Sequence, residues 1–124
     1  MSESNLFAFY GSLRRGMHNY EHYKTQLEYI ETTRISGYAL FALEDYPYVV
    51  RSNKETDLLV IEIFKIEDQN TREHIHRLEL EAGYVFEWID VEGKKVGIYL
   101  FERPTNNSRV ESGDWVEFFG VKHR

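Results

Sequence analysis

The sequence predicts an α+β fold in which a largely antiparallel or mixed sheet curls toward a barrel and carries two main helices. Three observations point there. Aromatic residues make up 15% of the chain, mostly Tyr and Phe, and such side chains favour strands. The apolar runs are mostly short and are separated by turn residues, as hairpin-linked strands require. Helical spacing of apolar residues is confined to two stretches.

The elements follow in order. Leu6, Phe7, Ala8, Phe9 and Tyr10 form a short apolar run that stops at Gly11, a buried strand delivering a turn. Residues 18–26, with Tyr20, Tyr23 and Leu27 at helical spacing, read as a short helix. Residues 33–43 are rich in β-formers and contain Gly37; residues 46–50 follow, with Pro47 where a strand begins. From Asp57 to Ile66, Leu59, Ile61 and Ile63 alternate with Val60, Glu62 and Phe64, so both faces are largely apolar and the strand is central. Asp68 caps a helix over about residues 70–80, Ile75 and Leu78 mark its buried face, and Ala82 with Gly83 ends it. Residues 84–91 and 95–101 form two strands around a tight turn at Glu92 and Gly93. A polar loop over 104–110, a final short strand over 115–119 and a polar tail over 121–124 complete the chain.

Length and composition set the class. At 124 residues, 42% of them hydrophobic, the chain fits one domain, residues 1–124, with enough apolar material for a core. The net charge of −6, from 21 acidic and 15 basic residues, argues against nucleic acid, whose phosphates need a basic surface. The chain has no cysteine, which excludes disulfides, thiol catalysis and cysteine metal sites and fits a reducing cytoplasm. The N-terminal residues show no basic region followed by an apolar stretch, so no signal peptide is expected. No apolar run approaches the roughly 20 residues of a membrane helix.

Three groups of residues carry candidate chemistry. Gly11 permits unusual backbone angles, and the N–H groups of a turn through Tyr10, Gly11, Ser12 and Leu13 can converge on an anion, with Arg14 and Arg15 adding positive charge. The alternative is an ordinary strand end. Glu79 lies four residues after Ile75, at the margin of a buried helix face, where a half-buried carboxylate gains the pKa of a general base. Glu81 points elsewhere, about 200° around the helix. Local pattern by itself favours two solvated glutamates. His18 and His22 are four apart, but no third ligand follows in an obvious place; with His74 and His76 they read as surface histidines and no metal site is expected.

These features together resemble one family. Tyr10, Gly11, Ser12, Leu13, Arg14, Arg15 and Gly16, with Asn19 after them, look like the Tyr-Gly-Ser/Thr-Leu turn of the γ-glutamylcyclotransferase-like proteins, a group that includes γ-glutamylamine cyclotransferases and AIG2-like proteins. Gly37 to Phe41, then Tyr46 and Pro47, resemble the family's next strands. Ile75 to Glu79 resembles its Leu-Asp-x-x-Glu helix end, and Ser112, Gly113, Asp114 and Trp115 resemble its closing Ser-Gly-Asp-Trp segment. The chain departs from the pattern at His76, where Asp is usual, and at Leu80, where Gly is usual; the latter keeps Glu81 as an alternative to Glu79.

The resemblance implies a small mixed barrel with the turn and the glutamate in one pocket. It implies Glu79 as catalytic acid/base and the turn from Tyr10 to Leu13 as substrate-binding; Tyr84, just after the helix, is read as lining the pocket, with an ordinary strand tyrosine as the alternative. The expected reaction converts a γ-glutamyl amine, amino acid or small peptide into 5-oxoproline and a free amine, with no metal or organic cofactor. The expected partner is that small molecule, not nucleic acid or membrane, with the chain a cytoplasmic monomer or homodimer. The alternatives are a metabolite-binding protein of the same fold without turnover, and a specialised enzyme removing a γ-glutamyl group in a biosynthetic pathway.

Overall fold

The computed structural model describes residues 5–43, 46–102 and 108–122. Strand β1 (Leu6–Phe9) runs into a turn and a short helix α1 (His18–Tyr23), followed by one 3-10 turn (Lys24–Gln26). Strands β2 (Glu28–Ser36), β3 (Tyr38–Leu43), β4 (Tyr46–Arg51) and β5 (Leu58–Lys65) precede the main helix α2 (Gln69–Glu81). The hairpin β6 (Val85–Val91) and β7 (Lys94–Leu100), a short β8 (Ser108–Arg109) and a helix α3 (Trp115–Lys122) follow. Among the described residues no helix is long and apolar enough to cross a membrane.

The α+β mixture stands, but the barrel does not. The strands form two open sheets, one of five in the order β2-β5-β1-β7-β6 and one of three in the order β4-β3-β8. Among the described residues β2 pairs with β5 alone and β6 with β7 alone, so the larger sheet keeps two edges. The chain changes sheet at Gly37, whose φ of +84° is the left-handed conformation glycine adopts freely. Gly37 donates to Asp57 O at 2.9 Å and accepts from Ser52 N at 2.8 Å, pinning the corner but ending the β2 ladder. Elsewhere the sheets meet through isolated bonds such as Phe101 N to Val49 O, 2.8 Å.

β1 is the middle strand, antiparallel to β5 from Leu6↔Lys65 to Phe9↔Glu62 and parallel to β7 at Phe7↔Gly97. Alternation sends Ala8, Ile61, Ile63 and Ile98 to one buried cluster with Leu40, Val49 and Trp115. It sends Phe7, Phe9, Phe64 and Tyr99 to a second, more aromatic cluster, which Ile75 of α2 enters. This second side carries the site.

Further expectations need correction. Residues 115–119 are helix rather than strand: Asp114 Oδ1 accepts from Glu117 N at 3.2 Å, a capping arrangement that starts α3. That gives three α-helices among the described residues where two main helices were expected. The expected polar loop over 104–110 contains β8, with residues 104–107 outside the described part; within the tail, 121–122 belong to α3 and 123–124 lie outside. Pro47 lies inside β4, opposite Ala42, on the edge strand of the smaller sheet where its missing N–H costs no ladder bond. The Glu92-Gly93 turn is as expected, both residues having positive φ, 52° and 83°.

Candidate functional site

Past the end of β1, Tyr10 leads into a β-turn over Gly11, Ser12, Leu13 and Arg14, closed by Arg14 N to Gly11 O at 2.9 Å. Gly11 is required by proximity rather than by an unusual φ: a Cβ there would lie 2.6 Å from Pro47 Cγ. The turn is tied to α1 twice, by Asn19 Nδ2 donating to Ser12 Oγ at 2.7 Å and by Tyr20 N donating to Ser12 O at 3.0 Å. The N–H groups of Ser12 and Leu13, at the two central positions of the turn, have no acceptor among the described residues.

Arg14 and Arg15 do not serve this turn as free cations. Arg14 is buried; its Nε donates to Glu62 Oε2 at 2.8 Å and its Nη1 to Asp114 Oδ1 at 2.7 Å. Glu62 Oε1 also accepts from Arg15 N at 2.9 Å and from Arg15 Nε at 3.3 Å. Neither arginine lines the cavity described next. Their role is structural, joining the turn to β5 and to the start of α3.

α2 begins at Asp68, whose Oδ2 accepts from Thr71 N at 2.9 Å, and stops at Gly83, with φ of +100°. Leu80 stays helical and exposed, and the left-handed residue comes three positions later. Glu79 sits on the last turn, where its carbonyl accepts from Tyr84 N at 3.1 Å. Its carboxylate faces a cavity of about 440 Å³, whose wall also includes Tyr10, Gly11, Ser12, Leu13 and Tyr84. Glu81 is exposed and does not line it. Ile75 is buried as expected, but Leu78 is not a core residue; it stands at the cavity and is half exposed.

Burial raises the Glu79 pKa from its ordinary 4.5 to about 7. Tyr10, Tyr23, Tyr84 and Tyr99 are among the tyrosines of the cavity wall. Burial raises the pKa of each, and the neighbouring Glu79 charge adds to the shift; for Tyr10 the contribution of Tyr84 exceeds that of Glu79. Their hydroxyls are held from behind. Tyr10 donates to Tyr99 O at 2.6 Å, and Tyr84 donates to Pro47 O. Tyr99 Oη lies 2.9 Å from His76 Nδ1, and Tyr23 Oη 3.0 Å from His74 Nδ1. His74 and His76 thus act as supports for cavity tyrosines rather than as idle surface groups.

Tyr23, Tyr99 and Asn19 line the cavity without having been singled out as site residues. Tyr99 is an inward position of a strand and Tyr23 the last residue of α1, so neither carries a local signal. Of the histidine pair, His18 lines the cavity while His22 is exposed with its ring against Tyr23. Among the described residues no group of three or more His, Asp or Glu side chains is placed to hold a metal ion. Chemically the site offers a carboxylate poised between its two protonation states near neutral pH, a pair of unengaged N–H groups and a wall of phenols.

The family model described as "Gamma-glutamyl cyclotransferase, AIG2-like" matches residues 7–117. The chain belongs to this AIG2-like family. Solved structures agree. An uncharacterized protein from Pyrococcus horikoshii is 27% identical with a TM-score of 0.80, the alignment covering 97% of each chain. The protein YtfP from Escherichia coli is 28% identical with a TM-score of 0.71, over 91% of this chain and 97% of that one. YkqA from Bacillus subtilis is 28% identical with a TM-score of 0.73, over 97% of this chain but 42% of its own length. No curated protein sequence matches the chain. The matched residues include both the Tyr10 to Leu13 turn and Glu79, so the AIG2-like assignment spans the whole cavity.

Proposed function

We propose that the chain is a γ-glutamylcyclotransferase, a cytoplasmic enzyme acting as one domain. The observation that carries this reading is a carboxylate with a pKa of about 7 sharing a cavity with a turn whose Ser12 and Leu13 N–H groups have no acceptor among the described residues. Glu79, as carboxylate, takes a proton from the substrate's α-ammonium group. The freed amine attacks the γ-carbonyl carbon of the same molecule, forming the ring C–N bond and placing negative charge on the carbonyl oxygen. Ser12 and Leu13 N–H groups hold the α-carboxylate or that oxyanion. As the oxyanion collapses, the bond to the departing amine breaks and Glu79 returns the proton to it; the second proton of the ring nitrogen also passes to that amine, which leaves as its ammonium form and the ring as the neutral lactam. The products are 5-oxoproline and a free amine.

Because nucleophile and electrophile belong to one molecule, the protein's main task is to fold the substrate into reacting geometry. Tyr10, Tyr84 and Tyr99 form a wall of fixed shape suited to that task. The steps are proton transfers and an acyl transfer, which call for no metal or organic cofactor.

The test is release of 5-oxoproline from a panel of γ-glutamyl amides, amino acids and peptides. Glu79→Gln is expected to lower kcat by about 10²–10⁴-fold, the usual contribution of acid/base catalysis. Full turnover by Glu79→Gln would refute the mechanism. Saturable binding without product from any compound would replace the enzyme by a binding protein of the same fold.

A further inference from the structure

Among the phenols of the cavity wall, Tyr10 and Tyr84 have their protons committed. Tyr10 donates to Tyr99 O at 2.6 Å and Tyr84 to Pro47 O, and a carbonyl oxygen can only accept. Tyr99 is bound differently. Its Oη lies 2.9 Å from Nδ1 of His76, and an imidazole nitrogen accepts or donates according to where the ring carries its proton. The direction of this bond sets whether Tyr99 shows the cavity a proton or a lone pair. Tyr23 and His74 form a similar pair at 3.0 Å, but His74 is exposed, where water can replace either partner.

The Tyr99–His76 bond lies beside Glu79. His76 and Glu79 are three apart on α2 and so occupy neighbouring positions of one helix face. The imidazole is fixed in place, edge-on to Phe86 at 5.3 Å and tilted against Tyr99 at 5.7 Å between ring centres. Tyr99 is 4% exposed, so Nδ1 rather than bulk water is the partner of its hydroxyl. A phenol is the stronger donor and a neutral imidazole nitrogen the stronger acceptor. The bond therefore runs from Tyr99 to Nδ1, with the ring's own proton on Nε2. Held that way, Oη turns only lone pairs to the cavity. A substrate α-ammonium group brings three N–H donors to Glu79. The carboxylate takes one proton, and the Tyr99 oxygen accepts another N–H of the same nitrogen. A nitrogen gripped at two points cannot spin, so the lone pair it gains is aimed.

We propose that His76 is a positioning residue: by accepting the Tyr99 proton it makes the Tyr99 oxygen an acceptor for the substrate's amine beside Glu79. This rests on the cyclotransferase reading of the site. Without Nδ1, Tyr99 is free to donate to the Glu79 carboxylate, which stabilises the charged form and weakens the base.

Two measurements need no substrate. Nitrogen NMR of the histidine rings at pH 8, where imidazole as such is neutral, is expected to show the His76 proton on Nε2. Carbon NMR of the Glu79 carboxyl is expected to place its titration midpoint about one pH unit lower in His76→Leu than in the wild type, the scale of a hydrogen bond to a charged group. Tyr99→Phe, with no phenol to donate, leaves the midpoint in place. His18 lines the cavity as well, so the titration is followed at Glu79 itself.

In 5-oxoproline release, His76→Leu is expected to lower kcat by about ten- to a hundred-fold with little change in KM, as misplacement of a reacting group does. His76→Asn, whose side-chain oxygen can stand in for Nδ1, is expected to recover most of that loss. Tyr99→Phe is expected to lose as much as His76→Leu, and the double variant no more than either, because His76 acts through Tyr99.

A His76 proton on Nδ1, a Glu79 midpoint unmoved by His76→Leu, or additive losses in the double variant overturns the proposal and leaves the cyclotransferase reading standing. If no γ-glutamyl compound releases 5-oxoproline, that reading falls. The expected tautomer and midpoint shift then uphold His76 as the residue that orients Tyr99 beside Glu79, and their absence overturns that as well.

Discussion

Glu79 is held at a depth where burial itself raises its affinity for a proton, and the sign of that effect fixes two pH dependences. The folded state favours the protonated form, so the group stabilises the fold fully below about pH 4.5, and that contribution is lost as pH rises through about 7. At about 1.4 kcal/mol per unit, the shift from 4.5 to about 7 corresponds to a loss of up to about 3 kcal/mol. Urea denaturation at pH 5 and pH 8 is expected to show that loss in the wild type and to show it greatly reduced in Glu79→Gln. Catalysis runs the other way, because the base must be ionised: log kcat/KM should climb with pH and level off above about 7. A profile flat from pH 5 to pH 8 would exclude Glu79 as the base. At this scale the sequence was partly legible. The spacing from Ile75 put Glu79 at the edge of the buried face, but it also placed Leu78 in the core. The true orientation depends on Tyr10 just after β1, Tyr84 just before β6 and Tyr99 in β7, contacts that no periodicity within the helix encodes.

Among the elements, the turn after β1 owes its position to ion pairs as much as to its own residues. Arg14 and Glu62 are 6% and 3% exposed, so each is the other's replacement for water. Removing one member of a buried pair strands the other charge, which typically costs about 3–5 kcal/mol. Arg14→Ala is therefore expected to lose that much stability in urea denaturation and to release α3 from the turn, since Asp114 loses its partner too. Arg15 is half exposed, and its Glu62 contact is kept in part by the main-chain N–H, so Arg15→Ala should cost less than about 1 kcal/mol. Equal losses for the two variants would show that the buried pair is not what anchors the turn. The same network explains the closing Ser-Gly-Asp-Trp segment. A Cβ on Gly113 would lie 1.9 Å from Leu58 O, Asp114 both pairs with Arg14 and caps α3, and Trp115 is fully buried. The residues of α3 read as strand because Trp, Val and Phe favour strands, yet Asp114 and Glu117 stood at capping-box spacing. Composition outweighed a start signal that was present.

For the molecule as a whole, the difference between a closed barrel and two open sheets lies in long-range pairing, and it has a measurable consequence. Apolar runs and alternation identified the strands, but neither says which strand lies beside which. β2 did carry an edge signature: Thr32, Arg34 and Ser36 are exposed and Glu31, Thr33 and Ile35 only half buried, a strand with little apolar surface to hide. In an antiparallel pair, alternate residues turn their N–H toward the partner and away from it. With β5 as its sole partner among the described residues, β2 should therefore present every second amide to solvent, apart from the irregularity between Tyr29 and Glu31. β6, paired among them with β7 alone, should do the same. Hydrogen exchange followed residue by residue should then show alternating fast and slow amides along β2 and β6. Along β1, where β5 and β7 flank both sides, protection should be continuous. Uniform protection of β2 and β6 would mean that the edges are covered, and its dependence on protein concentration would separate pairing with a second copy from closure within one chain.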